Sequence, residues 1–226
     1  MRVPAASSDG LLLRDFTLRL QDKALFAPLS FAVEPGSLVA VTGPSGCGKS
    51  SLLLALCGLL QGPFAVEGTA WMGGQPILDL PAERRRLGLI FQDPLLLPHL
   101  SVGRNLAFGL RRVSGAKQRD RARLVAEALE QIHLAGYEDR DPTTLSGGQR
   151  ARVALMRSLL AEPRALLLDE PFASLDPPLR RDMRSLLSEL LVARALPALL
   201  VTHDRSDAEA LACREIVLKK GEVWCD

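Results

Sequence analysis

One run of eight residues, Gly43-Pro44-Ser45-Gly46-Cys47-Gly48-Lys49-Ser50, constrains this chain more than any other stretch. It fits the pattern G-x-x-x-x-G-K-[ST], which makes physical sense only between a strand and a helix. Glycines let the loop turn its backbone N–H groups inward, close to phosphate oxygens. A helix that starts at the end of the loop aims the positive end of its dipole at the same point. Both flanks are present. Leu38–Thr42 reads as a short buried strand, and Ser50–Leu60 as an apolar helix. Composition alone would give about 0.003 such matches in a chain of this kind. Residues Gly43 to Ser51 are therefore expected to cradle nucleotide phosphates. Lys49 would reach the β- and γ-phosphates as a point charge, and the Ser50 hydroxyl would coordinate Mg²⁺.

Two further motifs belong with this loop. Leu166-Leu167-Leu168-Asp169-Glu170 is an apolar strand ending in two acids. Two unpartnered buried acids would be costly, but the carboxyl end of a core strand meets the ligand crevice. There Asp169 is placed to hold Mg²⁺ and Glu170 to polarise the attacking water as general base. Leu145-Ser146-Gly147-Gly148-Gln149 precedes another helix. Its small residues, Ser hydroxyl and helix N-terminus suit a second anion, and equally an ordinary N-capped helix.

Composition bounds the rest. The chain has 226 residues, of which 47% are hydrophobic and 24% charged, enough for one sizeable α/β domain with an inserted subdomain. A net charge of +2 argues against a protein that wraps nucleic acid, so no nucleic-acid partner is expected. No apolar stretch approaches the ~18–20 residues that span a bilayer, and MRVPAASSDG has no signal-peptide core, so a cytoplasmic location is expected. The chain reaches Asp226 soon after the last expected strand, so no regulatory C-terminal domain is expected. Cys47, Cys57, Cys213 and Cys225 have neither C-x-x-C nor zinc-ligand spacing and read as free thiols. Cys47, inside the loop, is either a small filler or a thiol made reactive by the helix terminus.

Short apolar runs alternating with helical segments predict a parallel sheet covered by helices. Before it, Leu11–Leu20 and Leu25–Val33 read as strands of an antiparallel edge sheet, and Trp71 and Ile77 lie in another short β region. Leu87–Phe91, Ala165–Asp169, Ala198–Thr202, Glu215–Leu218 and Glu222–Trp224 read as further strands. Residues 93–147 carry few strand signals and form the candidate inserted helical subdomain, between core segments 1–92 and 148–226. Its clearest helix is Ala116–Leu134, with Val125, Ala128, Leu129 and Ile132 on one face and Arg119, Arg123, Glu127 and Glu130 on a solvated one. Helices are also expected over Gly147–Ala161 and Ser206–Ala212, and one whose core face carries Met183, Leu186, Leu187, Leu190 and Leu191.

In this order the motifs resemble the ATP-binding subunits of ABC transporters over nearly the whole chain. The phosphate loop corresponds to Walker A, Leu145–Gln149 to the signature LSGGQ, and Leu166–Pro171 to Walker B. Ser174-Leu175-Asp176, Thr202-His203-Asp204 and the Phe91–Asn105 run are also similar. Within the family the chain looks most like bacterial importer subunits, YnjD-like and thiamine or iron importer ATPases among them. The resemblance implies ATP and Mg²⁺ as ligands and a head-to-tail dimer. ATP would lie between one copy's loop and Ser146, Gly147, Gly148 and Gln149 of the other, with Asp176 contacting the opposite subunit. Gln92 would sense Mg²⁺ and the attacking water and relay that state to a permease. His203 would hold the γ-phosphate. The permease would sit in the membrane, with this chain peripheral on its inner face and a substrate-binding protein outside.

The run Leu95, Leu96, Leu97 and Leu100 fits either ordinary core or a groove for a permease helix. The other readings are a soluble ABC ATPase serving DNA, ribosomes or iron–sulfur assembly, and a phosphate-loop kinase or GTPase, which LSGGQ opposes. One departure stands out. The family's adenine-stacking aromatic falls near Leu20, with Phe16 or Phe26 as substitutes and the only tyrosine at Tyr137. Losing a stacked aromatic costs about 1–3 kcal/mol, so weaker base discrimination is expected.

Overall fold

A computed structural model describes residues 9–21, 23–110, 118–212 and 214–218. In chain order these form β1 (Leu11–Leu20), β2 (Lys23–Ala24), β3 (Leu29–Val33), β4 (Leu38–Thr42), α1 (Lys49–Cys57), β5 (Phe64–Met72), β6 (Gln75–Pro76), α2 (Ala82–Arg85) and β7 (Leu87–Ile90). Then follow α3 (Val102–Gly109), α4 (Gln118–Gln131), α5 (Gly147–Leu160), β8 (Ala165–Asp169), α6 (Pro177–Ala193), β9 (Ala198–Val201), α7 (Arg205–Leu211) and β10 (Arg214–Val217). A short 3₁₀ turn, Pro142–Thr144, precedes α5. Cys213, Cys225 and the expected strand Glu222–Trp224 lie outside the described residues.

Two sheets result. One has the order β10-β4-β9-β8-β7. β4 pairs in parallel with β10 and β9, and β9 in parallel with β8. Every residue of β4 and β9 is buried, as expected of parallel strands covered on both faces. The other sheet is antiparallel, with β1 between β5 and the pair β2 and β3.

The apolar residues of β1 do not alternate strictly. Leu11, Leu13, Phe16 and Leu18 are all fully buried in the core. A bulge makes this possible. Asp15 takes a left-handed φ of 47°, and the pairing to β3 and β5 shifts register around it. One extra residue resets the two-residue period and returns Phe16 and Leu18 to the inner face. Gly68, opposite, must be glycine, since a Cβ there would lie 2.3 Å from the Asp15 carbonyl oxygen.

The expected strand Leu25–Val33 is shortened to β3, Leu29–Val33, and β2 forms ahead of it at Lys23–Ala24. Pro28 between them cannot donate to a ladder. The first helix stops at Cys57 rather than Leu60, because Gly58 takes a left-handed φ of 74° and closes it. The Arg85 guanidinium completes that end. It donates to the Ala55 and Leu56 carbonyls of α1 and also to those of Leu78 and Leu80. α3 was not foreseen; Ser101 caps it by accepting the Arg104 N–H, and Val102 and Leu106 are buried.

By compactness the chain divides into two units. The first holds the described residues up to Leu89, Arg164–Glu170 and those from Leu187 onward. The second holds Ile90–Pro163 and Pro171–Leu186. In the second unit Val125, Ala128, Leu129 and Ile132 of α4 are buried, and Arg123 pairs with Glu127 at 2.6 Å on the outer face.

Candidate nucleotide site

Parallel strands end at the same sheet edge, and β4, β9 and β8 are adjacent. Their carboxyl ends deliver the phosphate loop, Thr202-His203 and Asp169-Glu170 to one place in the first unit. The loop's glycines have specific work. Gly48 has a φ of 98°, and a Cβ there would meet the Phe26 ring at 3.1 Å. Gly43 passes so close to the Leu218 carbonyl that a Cβ would lie 2.4 Å from its oxygen. Cys47 is buried, which fits the filler reading of its thiol.

Lys49 is only 6% exposed, and its ammonium donates to the Gly43 and Pro44 carbonyls at 2.8 and 3.0 Å. These bonds hold the cation over its own loop. The Ser50 hydroxyl donates to Asp169 Oδ1 at 2.9 Å. Burial raises the Asp169 carboxyl above its ordinary value, as does the neighbouring Glu170, while the Ser50 bond and Lys49 oppose the rise. Glu170 sits in a left-handed backbone conformation, φ 48°, with its N–H bound to the Val201 carbonyl at 2.9 Å. Its Oε2 lies 2.8 Å from His203 Nδ1. A non-glycine residue at positive φ stores local strain, and here it turns the carboxylate towards the end of β9.

Beside the loop is a cavity of about 340 Å³. Ser45, Gly46, Gly48, Lys49, Ser50, Ser51 and Glu170 form its polar wall. Leu20, Leu25 and Phe64 form its apolar wall. Leu20, the residue nearest the family's adenine-stacking position, thus lines this cavity. Phe16 and Phe26 do not serve as substitutes, because both are fully buried in the core. Phe64, which no sequence motif marks, reaches this wall because its strand, β5, pairs with β1.

The other expected residues lie in the second unit. Gln92 is exposed. Ser146 and Gln149 form a capping box at the start of α5, the serine hydroxyl accepting the Gln149 N–H and the Gln149 side chain accepting the Ser146 N–H. Gly148 packs so closely that a Cβ would sit 3.1 Å from Leu179, while Gly147 has more room. Asp176 Oδ1 accepts the Leu179 N–H at the start of α6. Leu95 is 52% exposed, and Leu96, Leu97 and Leu100 are half-buried, so this run is surface rather than core. Asn105, fully buried, fixes it by donating to the Leu97, Leu100 and Ser101 carbonyls and accepting the Leu97 N–H. Arg157 adds bonds to the Pro94 and Leu95 carbonyls.

The family model described as ABC transporter matches residues 26–173. The chain belongs to the ABC transporter family. Its two sheets and covering helices are those of the ABC ATPase fold. This ABC protein is 44% identical over 200 residues to an uncharacterized ABC transporter ATP-binding protein, YnjD, of Escherichia coli, covering 88% of this chain and 91% of that one. It is 37% identical to the Fe(3+) ions import ATP-binding protein FbpC of Pasteurella multocida, over 96% of this chain and 61% of the relative. It is 41% identical to the sulfate/thiosulfate import ATP-binding protein CysA of Gloeobacter violaceus, over 94% of this chain and 61% of the relative. The chain therefore spans about three fifths of these iron and sulfate subunits. Among the described residues no helix is long and apolar enough to cross a membrane.

Proposed function

We propose that this chain is the ATP-hydrolysing subunit of a bacterial ABC importer, working as a head-to-tail dimer on a membrane permease. The observation that carries the proposal is the pairing at one sheet edge: Ser50 with Asp169, and Glu170 with His203, beside the phosphate loop. The importer role is supported by the iron and sulfate import relatives.

The roles follow from the chemistry. Residues Gly43 to Ser51 would hold the phosphates through inward N–H groups and the start of α1. Lys49 would exchange its two loop carbonyls for β- and γ-phosphate oxygens. Ser50 and Asp169 together offer a hydroxyl and a carboxylate oxygen, the hard donors that Mg²⁺ prefers when substrate phosphates supply other ligands. They would hold the ion, with Gln92 as a further ligand, and bound Mg²⁺ would neutralise charge on the phosphates. Glu170 would accept the proton of the attacking water as the bond to the γ-phosphate breaks, giving ADP and phosphate. His203, bound to Glu170, would orient that carboxylate and contact the γ-phosphate.

Ser146, Gly147, Gly148, Gln149 and Asp176 would complete the site on the second copy. ATP would then bridge two loops, and hydrolysis would remove the bridge. The second unit, with Gln92 and the exposed leucine run, would pass this cycle to the permease.

Glu170→Gln keeps the shape of the side chain and removes the base. With ATP it is expected to run as a dimer in size-exclusion chromatography. A variant that stays monomeric at saturating ATP contradicts the composite site. Tagged Glu170→Gln, recovered with ATP from gently solubilised membranes, should bring down a multi-span protein. Recovery of soluble partners alone contradicts the importer role.

A further inference from the structure

We propose that Phe64, on the strand beside the usual position, supplies the aromatic face that holds the nucleotide base; this rests on the nucleotide-binding reading above. Leu20 and Phe64 are direct partners across β1 and β5, so their side chains stand side by side on one face of the sheet. Both line the cavity that the phosphate loop lines from the other side. Neither belongs to the buried core cluster, although that cluster takes in Phe16, Phe26 and Phe31.

Phe64 is half-buried and Leu20 is 36% exposed, so the pair presents apolar surface to the cavity instead of hiding it. Gly62 leaves the ring uncovered, since a Cβ at that position would rest on it at 3.5 Å. Leu25, anchored on the core, extends the same wall. The other tyrosine-type candidate is occupied elsewhere: Tyr137, in the second unit, lies under the Arg140 guanidinium at 4.4 Å. Among the described residues, Phe64 is the one aromatic that lines this cavity. A flat ring beside an apolar leucine platform suits a purine face, and stacking reads no base edge.

The experiment measures dissociation constants by calorimetry for Mg-ATP and Mg-tripolyphosphate, on the full chain and its Phe64→Ala, Phe64→Leu and Phe64→Trp variants. Phe64→Leu keeps an apolar strand residue and removes only the ring, so it answers even if Phe64→Ala folds poorly. ATP affinity should fall about 5- to 150-fold in Phe64→Ala and Phe64→Leu, the range for loss of one base–aromatic stack. Phe64→Trp should keep it, and tripolyphosphate affinity should stay level in every variant. Unchanged ATP binding in Phe64→Leu overturns the proposal. So does a parallel loss of both ligands, which would mark Phe64 as structural. An unmodified chain that binds neither ligand overturns the nucleotide reading itself.

Discussion

At the residue scale, Asp169 ties the stability of the chain to pH. Its carboxyl is raised by burial and by Glu170. A carboxyl whose folded value exceeds its unfolded one favours folding when protonated, and that contribution is lost as pH rises through the folded value. Asp169→Asn should therefore raise the melting temperature of the nucleotide-free chain at pH 7, and the gain should vanish below about pH 4. Thermal unfolding followed by circular dichroism across that range checks it; a gain that persists at low pH contradicts it. Cys57 gives a second test. Burial pushes its thiol up to about 12, so it should resist iodoacetamide at pH 8 until the chain unfolds. That the phosphate loop, Asp169 and Glu170 stand at strand ends was legible in sequence because each ends or directly follows an apolar strand, whereas His203 was singled out through the resemblance. Phe64 was not legible, because what brings it to the site is the pairing of β1 with β5, a contact between distant segments.

At the element scale, α1 shows what fixes the loop from behind. Its last carbonyls face Arg85, which also ties down Leu78 and Leu80. Arg85→Met fills similar space but removes the charged donor from those carbonyls, of which the Ala55 carbonyl keeps the Gly58 N–H. A loss of about 2–4 kcal/mol is expected, read as a lower urea midpoint at unchanged slope. Gly68→Ala should cost at least as much as a typical core lesion, about 2 kcal/mol, because the Asp15 carbonyl cannot give way without losing the bulge. The strands β1, β4 and β8 were legible to the residue: β4 and β8 are short apolar runs, and β1 is bounded by Gly10 and the turn at Gln21. The bulge was invisible: a one-residue shift changes which side chains face inward without changing composition. α3 was missed for a related reason, as its eight residues give barely two turns of periodicity.

At the scale of the whole molecule, the apolar wall carries no group that reads a base edge, so ATP, GTP and CTP hydrolysis measured side by side should differ modestly. Strict preference for ATP would count against that wall as the base contact. The class of fold was legible because strand–loop–helix order and the acids at Asp169 and Glu170 need a parallel sheet with a shared edge. The left-handed corner at Glu170 has a wider effect. A backbone held against its preference weakens the fold at the spot where the carboxylate must stand. Glycine or asparagine at 170 would relax that corner, so libraries screened only for heat resistance should enrich Glu170→Gly and Glu170→Asn. Durability and turnover would then be opposed at a single peptide unit, and the toughest descendants of this chain would be silent ones.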